Sequence, residues 1–585
     1  MRASPVLLVA MLAACGGRAA TGPGAPQPAA TDALLAKLTP RQKVAQLVVP
    51  WLNGTYTALD DSTFQIAKRW VDTLEVGGII ISVGTPYDIA SKLNALQRRS
   101  KLPLLISADL EWGAGMRVVG ATAFPMIMAA GATGNERDAY TIGRVAALEG
   151  RAVGIHVNFA PDADVNNNPL NPIINIRSFG EDPRAVAKLV QAYVRGLQEN
   201  GMLATLKHFP GHGDTDVDSH IGLPTIRASY SRLDSIELVP FRAGIEAGAQ
   251  VVMSAHIAFP AFTGDAPATL SASVLTGVLR DSLKFRGLVV TDALQMGAIV
   301  AKYGAGEAAV RAFEAGSDLL LMPADPDSAI ASMLVALQTG RITAARLDAS
   351  VRRVLAIKQG LGLFRRRTVA IDSIARIVGS KAFLDAADDI AQRSLTLVRD
   401  TAGTIERLRR TRSRMAIIAY ADELNSYAGQ RMLELLRAGG DTVGYFRLWP
   451  MSGPASYDSA RVVIARAPTV IFAANVRPIS GRGFIALPDS LARLIAATDS
   501  VKPTVLVALG SPYLLNQTPT VKSYIIAWSG VRAAERAAGR ALLGWSPVRG
   551  TLPIRIPPNY PIGFGMVVPD STVPPPRPPA RTIIP

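Results

Sequence analysis

Lys207-His208-Phe209-Pro210-Gly211-His212-Gly213-Asp214-Thr215-Asp216-Val217-Asp218-Ser219-His220 carries three of the chain's five histidines, interleaved with three aspartates. The preceding run, Met202-Leu203-Ala204-Thr205-Leu206, has the apolar character of a short buried strand, and Pro210, Gly211 and Gly213 then stop regular structure. A strand therefore delivers Lys207 and His208 at its end, and a loop carries Asp218 and His220 beyond them. In an extended loop, residues i and i+2 share one face, so the Asp218 carboxylate can accept from the His220 imidazole N–H. Such a pair is a general acid/base unit, in which the Asp fixes the tautomer and the His moves the proton. The same residues also suit a polar surface loop with Asx turns. A metal site is a third reading, although no recognised ligand spacing is met.

The strand-then-polar unit recurs. Between residues 32 and 364, apolar runs at Val44–Val49, Gly78–Ser82, Leu104–Ser107, Ile155–Phe159, Leu203–Leu206, Val251–Ser254, Leu288–Val290 and Leu319–Met322 alternate with helical patterns such as Asp138–Val153 and Ala185–Asn200. Eight equivalent strand–helix units predict an N-terminal (β/α)8 TIM barrel, whose chemistry sits at the C-terminal ends of its strands. The runs do end in polar residues: Asp109 and Glu111, Asp162 and Asp164, Lys207 and His208, His256, Asp292.

Residues 365–400 read as a linker with a bridging helix over Ser380–Ser394. A second alternation follows over 401–566, with strands at Met415–Tyr420, Thr469–Ala473, Thr504–Leu509 and Ser523–Trp528 and a helix over Gly429–Ala438. It predicts a C-terminal α/β sandwich domain with a parallel sheet, and residues 567–585 form a Pro-rich tail expected to pack little.

The run Lys207 to Pro224 resembles the loop of the glycoside hydrolase family 3 β-N-acetylglucosaminidases of the NagZ type, in which an Asp–His pair is the acid/base. The β-glucosidases of that family share the Lys-His-Phe opening but lack the Gly-His-Gly and Asp-Ser-His elements. Thr291-Asp292-Ala293-Leu294-Gln295-Met296 is similar to the family's nucleophile segment at strand seven, although by itself Asp292 also fits a helix N-cap. Ile176-Arg177-Ser178-Phe179-Gly180-Glu181-Asp182-Pro183 again looks like the family's, and Gly544-Trp545-Ser546-Pro547-Val548-Arg549-Gly550-Thr551-Leu552-Pro553 resembles the closing segment of its second domain. The likeness spans roughly residues 32 to 566.

That resemblance implies a retaining exo-β-N-acetylglucosaminidase (a β-N-acetylhexosaminidase) that removes terminal β-linked GlcNAc from peptidoglycan- or chitin-derived saccharides. It implies Asp292 as nucleophile, His220 as acid/base and Asp218 as its dyad partner, with neither a metal nor an organic cofactor. Asp109, Arg117, Arg177, Lys207 and His208 would bind the hydroxyls of the sugar. Between Asp109 and Arg117 the chain reads Leu110-Glu111-Trp112-Gly113-Ala114-Gly115-Met116, departing from the commoner Gln-Glu-Gly-Gly-Arg, so Trp112 either stacks on a sugar face or fills the core. His256 is expected to support the site, and His156 to be structural.

Arg2 followed by the apolar run Val6–Ala14 reads as a leader over residues 1–14, too short for a membrane span of roughly 20 residues. Leu12-Ala13-Ala14-Cys15-Gly16 resembles a bacterial lipobox, which implies lipidation at Cys15. Residues 15–31 would then be a flexible tether. Cys15 is the one cysteine, so no internal disulfide forms. The implied setting is a bacterial envelope, with the protein lipid-anchored on the periplasmic or outer face, and a monomer is expected.

Of 585 residues, 49% are hydrophobic and 18% charged, which excludes a disordered chain and points to more than one domain. The formal charge of +16 comes from scattered basic residues. The dense run Arg407–Arg414 lacks interleaved aromatics and reads as a solvated linker, so no nucleic-acid partner is implied. The alternatives are a family 3 β-glucosidase, a GlcNAc phosphorylase acting at the same site, a metallohydrolase, and a silent envelope-binding lipoprotein. A binding module has no need of Asp218, His220 and Asp292 together.

Overall fold

The computed structural model describes residues 28–422 and 425–569. The leader, Cys15 and most of the tether and tail lie outside the described residues. Nine short strands build the barrel: β1 (Val48–Val49), β2 (Trp51–Leu52), β3 (Gly78–Ile81), β4 (Leu105–Ala108), β5 (Val157–Asn158), β6 (Leu203–Phe209), β7 (Val251–Ser254), β8 (Leu288–Val290) and β9 (Leu320–Leu321). β2 through β8 pair in sequence order, all parallel, as strands fed by helical crossovers must be. A bridge from Val290 to Leu319 and the parallel pairing of β9 with β1 close the ring. Every residue of β3 through β9 is buried, in keeping with their mostly apolar content.

The first apolar run does not begin as a strand. Val44 and Ala45 close the helix Pro40–Ala45, which Thr39 and Gln42 start with a reciprocal capping box. Strand structure begins only at Val48, and Pro50, which has no N–H to donate, separates β1 from β2. At the other end β6 runs further than the apolar pattern suggests, so Lys207 and His208 lie on the strand itself. The tether expected to reach residue 31 is also shorter. Residues Pro28–Leu35 are helical, Thr31 Oγ1 donates to Gln359 Oε1 at 2.7 Å, and Asp32 pairs with Arg352 at 2.6 Å.

The bridging helix, Lys381–Ser394, leads directly into β10 (Thr396–Asp400). That strand, which falls within the expected linker, opens the second sheet instead. With β11 (Arg414–Tyr420), β12 (Thr442–Leu448), β13 (Thr469–Ala474), β14 (Thr504–Ala508) and β15 (Ser523–Ile526) it forms a six-stranded sheet in the order β10-β15-β14-β13-β11-β12. The sheet is mixed rather than purely parallel, because the edge strand β10 runs antiparallel to β15. β12, the other edge, is buried only at Val443 and Leu448, and this half-exposed pattern hid it from the apolar reading. The basic run is likewise not a linker. Thr404–Arg410 is a helix in which buried Arg409 donates to the carbonyls of Ala541 and Ser546, and Arg414 begins β11.

The two domains share apolar packing. Met126, Met128, Ala129, Ala132 and Ile176 from the barrel join Phe472, Leu506, Tyr524, Trp528 and Leu552 in one core cluster. Each large side chain so buried contributes about 1.5–3 kcal/mol. Polar contacts lock the same seam: Asn166 Nδ2 to Tyr513 Oη at 3.0 Å, Glu181 N to the Pro553 carbonyl at 3.0 Å, and Thr551 N to the Ala132 carbonyl at 3.1 Å.

Candidate active site

A cavity of about 800 Å³ opens at the C-terminal ends of the barrel strands. Asp109, Arg117, Arg177, Lys207, His208, His220 and Asp292 all line it. Lys207 and His208 are adjacent on β6, and neighbours on a regular strand point to opposite faces. The β6–β7 register shifts between Leu206 and Phe209, an irregularity of the kind that re-aims side chains beside functional sites. The Lys207–His208 peptide bond is cis at the same place, and both residues line the cavity.

Lys207 Nζ lies 2.9 Å from Asp109 Oδ1 and 2.8 Å from Glu111 Oε1. Arg177 grips Glu111 in a two-pronged pair, Nε to Oε2 at 3.0 Å and Nη2 to Oε1 at 2.8 Å. Arg117 completes the chain at 3.5 Å from Asp109 Oδ2. Burial pushes the Glu111 carboxyl up, but Arg177 and Lys207 outweigh it and hold the group well below the usual carboxylate range. Lys207 is likewise opposed by burial yet held well above its ordinary value by Asp109 and Glu111. It therefore stays charged. Asp162 stands 3.1 Å from Arg177 and 3.6 Å from Lys207, with no hydrogen bond to either oxygen, and burial pushes its carboxyl up to about 7.

A second set of contacts shapes the loop. Asp164 accepts the His208 and His212 backbone N–H groups, and its Oδ2 lies 2.8 Å from His208 Nδ1. Burial disfavours the His208 imidazolium, but the Asp164 charge prevails and raises its pKa. Buried His212 spans the loop, with Nδ1 2.9 Å from Thr215 Oγ1 and Nε2 3.0 Å from Ser219 Oγ. Burial, reinforced by the His208 charge, lowers it to about 4. Asn171 Nδ2 donates to the carbonyls of His212 and Gly213. A Cβ on Gly213 would fall 1.7 Å from the Val165 carbonyl oxygen, so the loop can approach there only as glycine.

Asp218 and His220 do meet, though in a turn rather than an extended segment. Asp218 Oδ1 accepts the His220 backbone N–H at 2.9 Å and lies 2.8 Å from His220 Nδ1, while the Ile221 N–H donates to the Asp218 carbonyl. This is an Asx turn, which aspartate favours because its carboxylate reaches the amide two residues on. The Asp218 carboxylate is fully buried, whereas the His220 side chain keeps 35% exposure. Burial raises the Asp218 pKa, but the His220 amide and ring outweigh it and the net shift is downward.

Asp292 follows β8. Burial works against its charge, yet His256, His208, the Ala293 amide and His220 together lower it to about 2. Its Oδ1 accepts the Ala293 N–H at 2.7 Å, the residue directly after it, so it does not cap the later helix Gly297–Tyr303. His256 Nε2 donates to the Ala293 carbonyl at 3.1 Å and its Nδ1 lies 2.9 Å from Thr269 Oγ1, bracing the backbone beside Asp292. His156 accepts the Ile106 N–H inside the barrel wall, a structural role.

Asp162, Asp164 and His208 bring possible ligand atoms within 4.8 Å of one another. Asp164 and His208 use theirs on each other, and Asp162 faces two cations whose charge opposes a metal. Trp112 lines the cavity and also packs against both domain cores. The second domain supplies much of the wall through Asp422, Asn425, Asn475, Arg477 and Ser480. Sequence reasoning left open whether that domain touches the site, and it gave no role to Glu111, Asp164 or His212. Their one signal was a polar residue just past a strand end or inside the histidine loop.

The glycosyl hydrolase family 3 N-terminal domain model matches residues 39–357. The chain belongs to glycosyl hydrolase family 3. Among family 3 relatives, the β-N-acetylglucosaminidase/β-glucosidase of Cellulomonas fimi is 31% identical over 504 residues, 82% of this chain and 88% of that protein. A family 3 β-N-acetylglucosaminidase structure from Paenibacillus sp. str. FPU-7 superposes with a TM-score of 0.79 at 32% identity, covering 89% of this chain and 99% of that one. The β-glucoside phosphorylase BglX is also similar, with a TM-score of 0.81 at 28% identity over 90% of this chain and 96% of the other. The barrel-plus-sandwich architecture is thus that of two-domain family 3 proteins.

Proposed function

We propose that this family 3 glycoside hydrolase is a retaining, exo-acting β-N-acetylglucosaminidase. The observation that carries the reading is the buried Asp218 carboxylate 2.8 Å from a partly exposed His220, in a cavity that Asp292 also lines. The names of the Cellulomonas and Paenibacillus relatives support the 2-acetamido sugar as substrate.

Asp292, ionised throughout the physiological range, attacks the anomeric carbon from below and forms a covalent glycosyl-enzyme. His220 protonates the departing oxygen, with Asp218 on Nδ1 leaving Nε2 free for the proton. In the second half-reaction the now neutral imidazole takes a proton from water, which displaces Asp292 and restores the β configuration. Lys207, Asp109, Arg117, Arg177 and His208 hold the hydroxyls of the terminal sugar. Nothing in this sequence of steps calls on a cofactor.

Paired nitrophenyl glycosides test the assignment: the 2-acetamido sugar should be cleaved far faster than glucose, with β-GlcNAc released first by NMR. Equal rates, or initial release of the α anomer, would refute it. Defined peptidoglycan fragments set against chitobiose would identify the polymer. We further propose that the protein acts as a monomer, lipid-anchored through Cys15 to a bacterial envelope membrane. Among the described residues no helix is long and apolar enough to cross a membrane.

A further inference from the structure

The Asp218–His220 pair has a third member from the other domain. The Gly481 backbone N–H, in the turn Ile479–Arg482 after β13, donates to Asp218 Oδ2 at 2.8 Å. The two carboxylate oxygens are thus divided. Oδ1 serves the amide and ring of His220, and Oδ2 serves the second domain. The carboxylate is fully buried, so without Gly481 its Oδ2 would lack this partner and the group would be free to rotate toward another donor. The contact is reinforced nearby. A Cβ on Gly483 would lie 3.0 Å from Cδ1 of Ile221, the residue after His220, and Arg477, Pro478, Ile479 and Ser480 of the same segment line the cavity.

We propose that Gly481 is a positioning residue for proton transfer, so that the acid/base is complete only with the second domain docked against the barrel. The inference rests on the glycosidase reading above and adds a residue and a domain to it. Gly481 is not among the residues that line the cavity. It acts by fixing the rotation of the Asp218 carboxylate, and through it the His220 ring. The nucleophilic half of the site, Asp292 with His256 and Ala293, belongs entirely to the barrel. The two halves of the chemistry are therefore held by different domains.

The test compares Gly481→Pro, which removes the N–H, with Gly481→Ala, which keeps it. Gly481 has φ +78°, which alanine reaches at some strain and where its Cβ meets no atom within 4 Å, but which proline, held near about −65°, cannot adopt, so Gly481→Pro also re-forms the turn and it is the leaving-group dependence that reads the N–H. On a β-N-acetylglucosaminide with a sugar leaving group, which needs protonation, kcat/KM of the Pro variant should fall on the order of tenfold or more below that of the Ala variant, as loss of one hydrogen bond implies. On the 2,4-dinitrophenyl glycoside, which leaves unaided, the two should agree within about twofold. Azide, which needs no general base, should restore the turnover of the Pro variant as glycosyl azide. Equal losses on both substrates, or no difference between the variants, would overturn the proposal. If the Pro variant does not fold, amide exchange in the unaltered protein decides: Gly481 should exchange on the order of a hundredfold more slowly than an unbonded turn amide. Free exchange at Gly481 removes the contact and the inference with it. Failure of the unaltered protein to cleave any β-N-acetylglucosaminide would count against the glycosidase reading, and the exchange measurement would still judge Gly481.

Discussion

His220 Nδ1 lies 2.8 Å from Asp218 Oδ1, the same oxygen that accepts the His220 backbone N–H. Ring and main chain are fixed by one carboxylate, so the imidazole has a set orientation and a set tautomer. His220→Ala should lower kcat/KM by roughly 10²–10⁴-fold for a sugar leaving group and far less for a dinitrophenyl one. A loss that does not depend on the leaving group would remove His220 from proton transfer.

Asp292→Ala should cut kcat by several orders of magnitude while leaving the fold intact, since the lost charge is needed in the reaction. Azide fits the space left by the carboxylate and should give the α-glycosyl azide, of inverted configuration. Near-normal turnover in this variant would eliminate Asp292 as nucleophile.

Acid should withdraw the stability contributed by the buried histidines, against an opposite contribution from Asp162, whose raised carboxyl gains its proton first in the folded state. Burial lowers His156, His212 and His256 below the usual value, so in each case the unfolded state binds the proton first. Their stability contribution is full above about pH 6.5 and is lost as pH falls, for His212 down to about 4, where the loss amounts to about 3 kcal/mol. His208, whose pKa is raised, has the opposite sign: its contribution is full below the unfolded value and is lost as pH rises. Between pH 7 and 4 the urea midpoint of the unaltered protein should drop relative to that of His212→Gln, in which the His212 contribution is gone while that of Asp162 remains. Parallel curves for the two proteins would show that His212 does not carry this term.

Cys15→Ser should release the protein from membranes without loss of specific activity. If the variant stays bound through washing, the lipid anchor is not at Cys15.

Phosphate should compete with water for the glycosyl-enzyme. A carboxylate base repels a phosphate dianion, whereas a neutral imidazole does not. Hydrolysis should still dominate, with some GlcNAc 1-phosphate at high phosphate. No sugar phosphate and a flat rate at rising phosphate would defeat this argument.

Eight of the nine barrel strands were legible because each falls in an apolar run, β2 alone lying outside one, and the histidine loop because breakers and imidazoles crowd into one short segment. What escaped had no local signal. β12 is an edge strand buried only at Val443 and Leu448, Val44–Ala45 is apolar but helical, and Arg409 is a buried arginine in what reads as a surface charge run. Glu111, Asp164 and His212 acquire their roles only through partners distant in sequence or on the far side of the loop. The Gly481 contact joins residues 263 positions apart and rests on a backbone amide, which no side-chain pattern can announce.

Met126, Met128 and Ile176 lie in the core beneath the second sheet. Cut away from residues 395 onward, the barrel would carry these side chains bare on its surface, and a contiguous apolar face of that kind promotes aggregation. The catalytic barrel of this chain is therefore not a portable cassette. An engineer who grafts it elsewhere must repaint that face with polar residues, or bring the sandwich along.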